Sequence, residues 1–94
     1  FYHDCTPEDV QWAISNLRPH AAYGGDDDAA NAAWRSVPST YIVCSDDRVF
    51  SVDYQRKAAA LTAHSEDLST SHSPMLSAPD RLAEALQRVV ARIS

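Results

Sequence analysis

A short apolar run, Tyr41-Ile42-Val43-Cys44, constrains the fold of this chain more than any other stretch of its sequence. A strand that is apolar on both faces must be covered on both faces, and such strands are typical of parallel sheets flanked by helices. We therefore predict that residues 40–44 form a buried parallel strand. The preceding Val37-Pro38-Ser39 marks a boundary in the chain.

The segments that follow this strand predict the order strand, helix, strand, helix. Ser51 can cap a helix over about residues 52–62, a short strand is expected near 66–68, and Pro79 opens a final helix. This βαβα order predicts a parallel sheet with right-handed crossovers. Because two strands cannot form a stable sheet alone, we interpret the chain as the last piece of a larger α/β protein.

Residues 1–37 are predicted to form a separate segment from residues 38–94. Thr6 and Pro7 are typical of a helix start, and Pro19 is expected to end that helix. Apolar residues recur between them at the spacing of one helix face: Val10, Ala13, Ile14 and Leu17. The cluster Gly24-Gly25-Asp26-Asp27-Asp28 is interpreted as a solvated loop.

Composition excludes several classes of function. Thirteen acidic and eight basic residues give a net charge of −5, which argues against nucleic-acid binding because phosphates require a concentrated basic face. No apolar run approaches the roughly 18 residues of a membrane-spanning helix. Cys5 and Cys44 form no disulfide framework, and no Cys/His spacing resembles a zinc site. We predict a cytoplasmic setting, with no metal, organic cofactor or membrane partner.

Two residues suited to acid-base chemistry follow the two predicted strands. Asp47 lies just past the carboxyl end of the first strand, where open α/β sheets place functional groups, and His72 lies in the loop after the second. An Asp followed by a His is the order in which an α/β enzyme supplies two members of a Ser-His-Asp system. The residues alone leave alternatives, since Asp47 can simply end a strand and the adjacent Asp46 is chemically identical.

Several stretches, taken in order, resemble the plant methylesterase and hydroxynitrile lyase family of α/β-hydrolases, and most of all its bacterial esterase relatives. They are Cys5-Thr6-Pro7-Glu8-Asp9-Val10, Leu17-Arg18-Pro19, Tyr41-Ile42-Val43-Cys44-Ser45-Asp46-Asp47, Gln55-Arg56 and His72-Ser73-Pro74. The similarity extends over nearly the whole chain.

The resemblance implies a doubly wound, mostly parallel eight-stranded sheet with a helical cap over the active site. Residues 1–37 would match the end of the cap's return into the core, and residues 38–94 the last two strands and helices. Asp47 would be the triad acid and His72 the triad base. The nucleophilic Ser, in a G-x-S-x-G turn, would lie on an upstream portion of the protein.

The resemblance also implies an apolar pocket for a small hydrophobic or aromatic ester. Phe50 and Met75 flank the acid and the base in sequence, and Trp12 is a candidate from the cap side. Phe1 and Tyr2 are further candidates on that side.

Two departures from the family pattern bear on function. Ser71 stands where the family usually has Gly or Asp before its catalytic His. Ser73 stands where the hydroxynitrile lyase branch has Lys, which favours ester hydrolysis over cyanohydrin cleavage. The predicted activity is carboxylic ester hydrolysis once the upstream portion is present. A lyase, cyclase or lactone-opening enzyme on the same scaffold, or a non-catalytic binding fragment, is the alternative.

Overall fold

A computed structural model describes residues 1–20 and 32–93 of the chain. Its helices and strands are, in chain order, α1 (Pro7–Ser15), β1 (Thr40–Cys44), α2 (Val52–Ala59), β2 (His64–Leu68), α3 (Pro74–Ser77) and α4 (Pro79–Ile93), with one turn of 3-10 helix at Ala33–Arg35 before β1. The loop predicted around the two glycines lies outside the described residues.

The two strands pair in parallel, which confirms the predicted α/β class. Thr40 lies opposite His64, and the register continues to Cys44 opposite Leu68. Val43 is fully buried, but the rest of β1 is only half-buried. The expected burial on both faces is therefore incomplete, because the described residues supply one neighbouring strand rather than the two that a central strand needs.

Helix α1 begins as predicted and ends earlier than predicted. The Thr6 hydroxyl accepts a hydrogen bond from the Asp9 N–H at 3.2 Å, and Pro7 occupies the first helical position. The helix stops at Ser15 instead of running on to Pro19. Ser15 and Asn16 both donate side-chain hydrogen bonds to the Trp12 carbonyl, and such local bonds compete with helix extension.

Helix α2 begins directly after Ser51, the residue predicted to cap it. The Ser51 hydroxyl accepts a hydrogen bond from the Tyr54 N–H at 3.2 Å. The helix ends at Ala59, and the Thr62 hydroxyl donates to the Ala59 carbonyl at 2.7 Å. Because α2 is shorter than predicted, β2 starts two residues earlier than expected, at His64.

Helix α4 starts at Pro79 as predicted, whereas the short α3 before it was not predicted. Ala85 is the buried residue of α4 within the described part of the chain. The sequence predicts one apolar stripe along this helix, formed by Leu82, Leu86, Val89 and Ile93. Of these residues, Leu86 and Ile93 are exposed in the part of the chain that the structure describes.

Glu66 on β2 joins the sheet to α4. Its carboxylate accepts hydrogen bonds from Arg88, at 2.7 Å, and from Arg92. The bond from Arg88 is the main reason that the pKa of Glu66 lies below its ordinary value. The Glu66 side chain is only 10% exposed, whereas Asp67, which pairs with Arg56, is 56% exposed.

We predict that the ion pair at Glu66 contributes more to stability than the pair at Asp67. Exposed ion pairs contribute little, because water and salt screen them. Glu66→Gln is therefore expected to lower the melting temperature of the whole protein by about 2–4 °C, measured by differential scanning calorimetry. The matched variant Asp67→Asn should lower it by less than about 1 °C. Equal effects of the two variants would contradict this ranking.

Candidate active site

The loop between β1 and α2, residues 45–50, fixes the carboxylate of Asp47. One oxygen, Oδ1, accepts hydrogen bonds from the backbone N–H groups of Val49, at 2.6 Å, and Phe50, at 3.1 Å. These bonds hold the side chain in a turn of the kind that Asp favours. The other oxygen, Oδ2, is left to point across the carboxyl edge of the sheet.

Gln55 on α2 connects the two ends of the loop at residues 45–50, which we call the acid loop because it carries Asp47. Its Oε1 accepts from the Cys44 N–H at 2.7 Å, and its Nε2 donates to the carbonyls of Cys44, at 2.8 Å, and Phe50, at 3.0 Å. Gln55 is almost completely buried. The sequence showed this residue only as part of the resemblance. The available signal was its place on the inner helix face that also carries Val52 and Ala59.

The loop after β2, residues 69–73, lies against the acid loop. The Ser45 N–H donates to the Leu68 carbonyl at 2.9 Å, and the Asp46 N–H donates to the Thr70 carbonyl at 3.0 Å. The parallel pairing thus continues past the ends of both strands. Thr70 and Ser71 are fully buried, so the backbone that leads into His72 is enclosed by protein.

The two loops bring the predicted acid and base into contact. His72 Nδ1 lies 2.8 Å from Asp47 Oδ2. Because a carboxylate only accepts hydrogen bonds, Nδ1 carries the proton, and Nε2 of the neutral ring is an acceptor. The Asp47 side chain is 3% exposed and that of His72 is 29% exposed, so the ring reaches solvent while its partner does not. Asp46, the alternative acid, is exposed and contributes backbone groups instead.

Asp47 is held in its charged form. Burial alone raises the pKa of this carboxyl. Hydrogen bonds from His72 and from the N–H groups of Val49 and Phe50 outweigh that effect, and the pKa of Asp47 lies below its ordinary value. At neutral pH the site therefore contains a buried carboxylate directed at an imidazole N–H.

Two aromatic rings flank the His72 imidazole. The centroid of Phe50 lies 5.5 Å from that of His72, and the centroid of Phe1 lies 5.0 Å away, both in edge-to-face geometry. The structure thus places Phe50 and Phe1 beside the imidazole of His72. Met75 and Trp12 are about 60% exposed, and their place in a pocket stays a prediction.

The chain contains no nucleophile turn. A G-x-S-x-G motif needs two glycines four positions apart, and the two glycines of this chain are neighbours, Gly24 and Gly25. Within residues 1–20 and 32–93, no three His, Cys, Asp or Glu side chains form a group that could hold a metal ion. Among the same residues, no helix has the length and apolar character needed to cross a bilayer.

Comparison with known proteins decides the family. The model of the alpha/beta hydrolase family matches residues 1–85. This chain belongs to the alpha/beta hydrolase family. The predicted superfamily and fold are thereby confirmed, and the pair at the carboxyl edge of the sheet lies in an alpha/beta hydrolase framework. How residues 1–37 relate to residues 38–94 as separate segments stays a prediction.

Proteins similar to this chain are found in a fungus and in plants. "Alpha/beta hydrolase nvfD" of Aspergillus novofumigatus is 34% identical over 82 residues, which cover 84% of this chain and 33% of the relative. "Norfluorocurarine synthase 1" of Strychnos nux-vomica is 31% identical over 99 residues, which cover 98% of this chain and 37% of the relative. The chain thus spans about a third of the length of the curated relatives it matches. No solved structure matches it significantly.

We predict that Gln55 is essential to the stability of the acid loop. Gln55→Met keeps the side-chain size but removes three hydrogen bonds and leaves the part-buried Cys44 N–H without its Gln55 acceptor. The free energy of unfolding of the whole protein, measured in urea, is expected to fall by about 1–3 kcal/mol. Gln87→Met on the exposed face of α4 is the matched control and should change it by less than about 0.5 kcal/mol. If both variants behave alike, the role of Gln55 is refuted.

The depressed pKa of Asp47 predicts how stability depends on pH. The folded state binds a proton at Asp47 more weakly than the unfolded chain does, so this carboxylate stabilises the fold above its unfolded pKa of about 3.9. That stabilisation is lost as the pH falls through the lower folded pKa. Asp47→Asn should therefore reduce stability near neutral pH and flatten its decline below about pH 4.

Urea unfolding of the whole protein, measured at pH values from about 7 to about 2, tests this prediction. Asp80→Asn, at an exposed carboxyl in the first turn of α4, is the control and should keep the wild-type slope. A slope in Asp47→Asn that equals the wild-type slope would show that Asp47 does not contribute to acid sensitivity.

Proposed function

We propose that this chain supplies the acid and the base of a Ser-His-Asp triad in a hydrolase that cleaves carboxylic esters. The observation that carries the proposal is the 2.8 Å contact between His72 Nδ1 and Asp47 Oδ2, with the carboxylate buried and the His72 side chain 29% exposed. The Ser belongs to an upstream portion of the protein, which the coverage of the relatives supports.

The proposed reaction uses the two ring nitrogens of His72 differently. Asp47 keeps the proton on Nδ1, so the lone pair of Nε2 faces the nucleophile. The Ser Oγ forms a bond to the ester carbonyl carbon while its proton passes to Nε2. When the bond between the carbonyl carbon and the alkoxide oxygen breaks, Nε2–H protonates the leaving alkoxide to give the alcohol, and an acyl-enzyme remains.

The second half of the reaction reverses these proton movements. Water attacks the acyl carbonyl carbon while Nε2 of His72 takes a proton from it, and the acyl–Ser bond then breaks as that proton returns to Ser Oγ. In both halves the imidazole becomes transiently cationic. The buried Asp47 carboxylate stabilises that cation without being protonated itself.

We propose a small hydrophobic or aromatic ester as the substrate. The rings of Phe1 and Phe50 stand beside the base, so an acyl or alcohol group near His72 meets aromatic surface. Met75 and Trp12 are further proposed contributors to this pocket. The cytoplasmic setting predicted from the sequence belongs to the same proposal, to which the two free cysteines lend support.

A second candidate function is a non-hydrolytic reaction that uses the same His-Asp pair. Two of the relatives from Strychnos nux-vomica carry the name norfluorocurarine synthase, at 31% and 27% identity. One fold can support several chemistries, and the sequence around the missing nucleophile decides between them. A substrate screen that compares methyl esters with lactones, together with analysis of the products, distinguishes the two candidates.

The triad assignment predicts a large loss of activity in two variants of the whole protein. His72→Ala and Asp47→Asn should each lower kcat on nitrophenyl esters by about 10³–10⁴-fold, because the base is removed or its ring loses the correct tautomer. Labelling of the nucleophilic Ser by a fluorophosphonate should slow in parallel.

His64→Ala is the matched control for this measurement. His64 is exposed at the start of β2, at the opposite end of the strand from the site, and its replacement should leave kcat within about twofold of wild type. Full hydrolysis by His72→Ala would overturn the proposal, and so would a whole protein in which no Ser is labelled.

A further inference from the structure

The first four residues of the chain bridge the acid loop and the loop that carries His72. His3 Nε2 donates a hydrogen bond to the Asp46 carbonyl at 2.6 Å, next to Asp47. Asp4 Oδ2 accepts a hydrogen bond from the Ser71 N–H at 2.8 Å, next to His72. One short segment therefore contacts the immediate neighbours of both members of the proposed pair.

Ser71 depends on this segment for its hydrogen bonds. It is fully buried, and its N–H lies beyond the last backbone bond between the two loops, which ends at the Thr70 carbonyl. A buried N–H requires an acceptor, and Asp4 supplies it. The Ser71 hydroxyl donates to the Phe1 carbonyl at 3.2 Å and accepts from the Ser73 N–H at 3.4 Å. The backbone on both sides of His72 is thus fixed through Ser71.

The bond between Asp4 and Ser71 has the character of a charge-assisted hydrogen bond. Burial alone raises the pKa of Asp4, but hydrogen bonds from Ser71 and Ser77 outweigh that effect and bring the pKa below its ordinary value. The carboxylate is therefore charged at neutral pH. Hydrogen bonds from an N–H to a charged carboxylate are shorter and stronger than those between neutral groups.

We propose that Asp4 is a positioning residue for His72: through the buried Ser71 backbone it sets where the imidazole stands relative to Asp47. The proposal rests on the proposed function in taking His72 as the base. Phe1 belongs to the same arrangement, because its carbonyl binds the Ser71 hydroxyl while its ring packs edge-on against His72. Ser71 stands where the family that the sequence resembles usually has Gly or Asp. Its N–H donates to Asp4, which lies 67 residues earlier in the sequence.

Asp4→Ala in the whole protein tests the proposal with two readouts. The first is steady-state hydrolysis, in which kcat should fall by about 10–100-fold while KM changes by less than about threefold, because a displaced ring weakens proton transfer more than substrate binding. The second is the NMR signal of the His72 Nδ1 proton in histidine-labelled protein, assigned by its absence in His72→Ala. This signal should broaden or disappear in Asp4→Ala, because the bond to Asp47 no longer protects the proton.

Glu8→Gln is the control for both readouts. Glu8 is an exposed acid four positions after Asp4, in the first turn of α1, and its replacement should leave kcat and the His72 signal unchanged. A merely structural tether predicts a different pattern, in which Asp4→Ala lowers the melting temperature but leaves kcat and the Nδ1 proton signal as in wild type. That pattern would overturn the proposal.

A milder variant and a substrate-free readout keep the test decisive. If Asp4→Ala does not fold, Asp4→Asn keeps an acceptor oxygen and loses only the charge, and kcat should fall by about 3–10-fold. An Asp4→Asn protein with unchanged kcat and an unchanged His72 signal would then refute the role of Asp4. Should the wild-type protein hydrolyse no ester, the proposed function fails, but the NMR comparison still decides whether Asp4 positions the ring.

Discussion

The parallel pairing of β1 and β2 is the constraint on which the site depends. Because the strands run in the same direction and end in register, with Cys44 opposite Leu68, the loops that follow them start side by side. Backbone bonds then join these loops beyond the last strand residues. Asp47 and His72, 25 residues apart in sequence, meet at 2.8 Å without any further element between them. The contact is a result of strand direction as much as of the two side chains.

The features that could be predicted from the sequence were those with local causes. The apolar run at residues 41–44 needed no distant partner to indicate a strand, and Ser51 and Pro79 mark helix starts through their own hydrogen bonds and geometry. The approach of Asp47 to His72 followed from the strand order, because parallel strands bring their carboxyl ends to one edge. The family resemblance added the roles of the two residues, and the proposed chemistry follows from those roles.

The features that escaped prediction depend on partners far away in sequence or outside the described residues. Asp4 binds Ser71 across 67 positions, and no local pattern marks either residue for that bond. Helix α1 ends early because Ser15 and Asn16 bind the Trp12 carbonyl, a competition that apolar periodicity does not record. The stripe on α4 was expected to be buried, but burial depends on what packs against it, and Leu86 stays exposed in the described part of the chain.

Gln55 has a consequence for how such a site can change during evolution. Its side chain forms hydrogen bonds with main-chain atoms of Cys44 and Phe50, and Asp47 Oδ1 likewise accepts hydrogen bonds from main-chain N–H groups. The orientation of the Asp47 carboxylate therefore does not depend on the other side chains of the acid loop. In the proposed triad, residues that line a substrate pocket can therefore be exchanged while the contact between Asp47 and His72 keeps its geometry. We expect a fold of this kind to accept different substrate-binding side chains while it keeps one pair of residues for the proposed proton transfer.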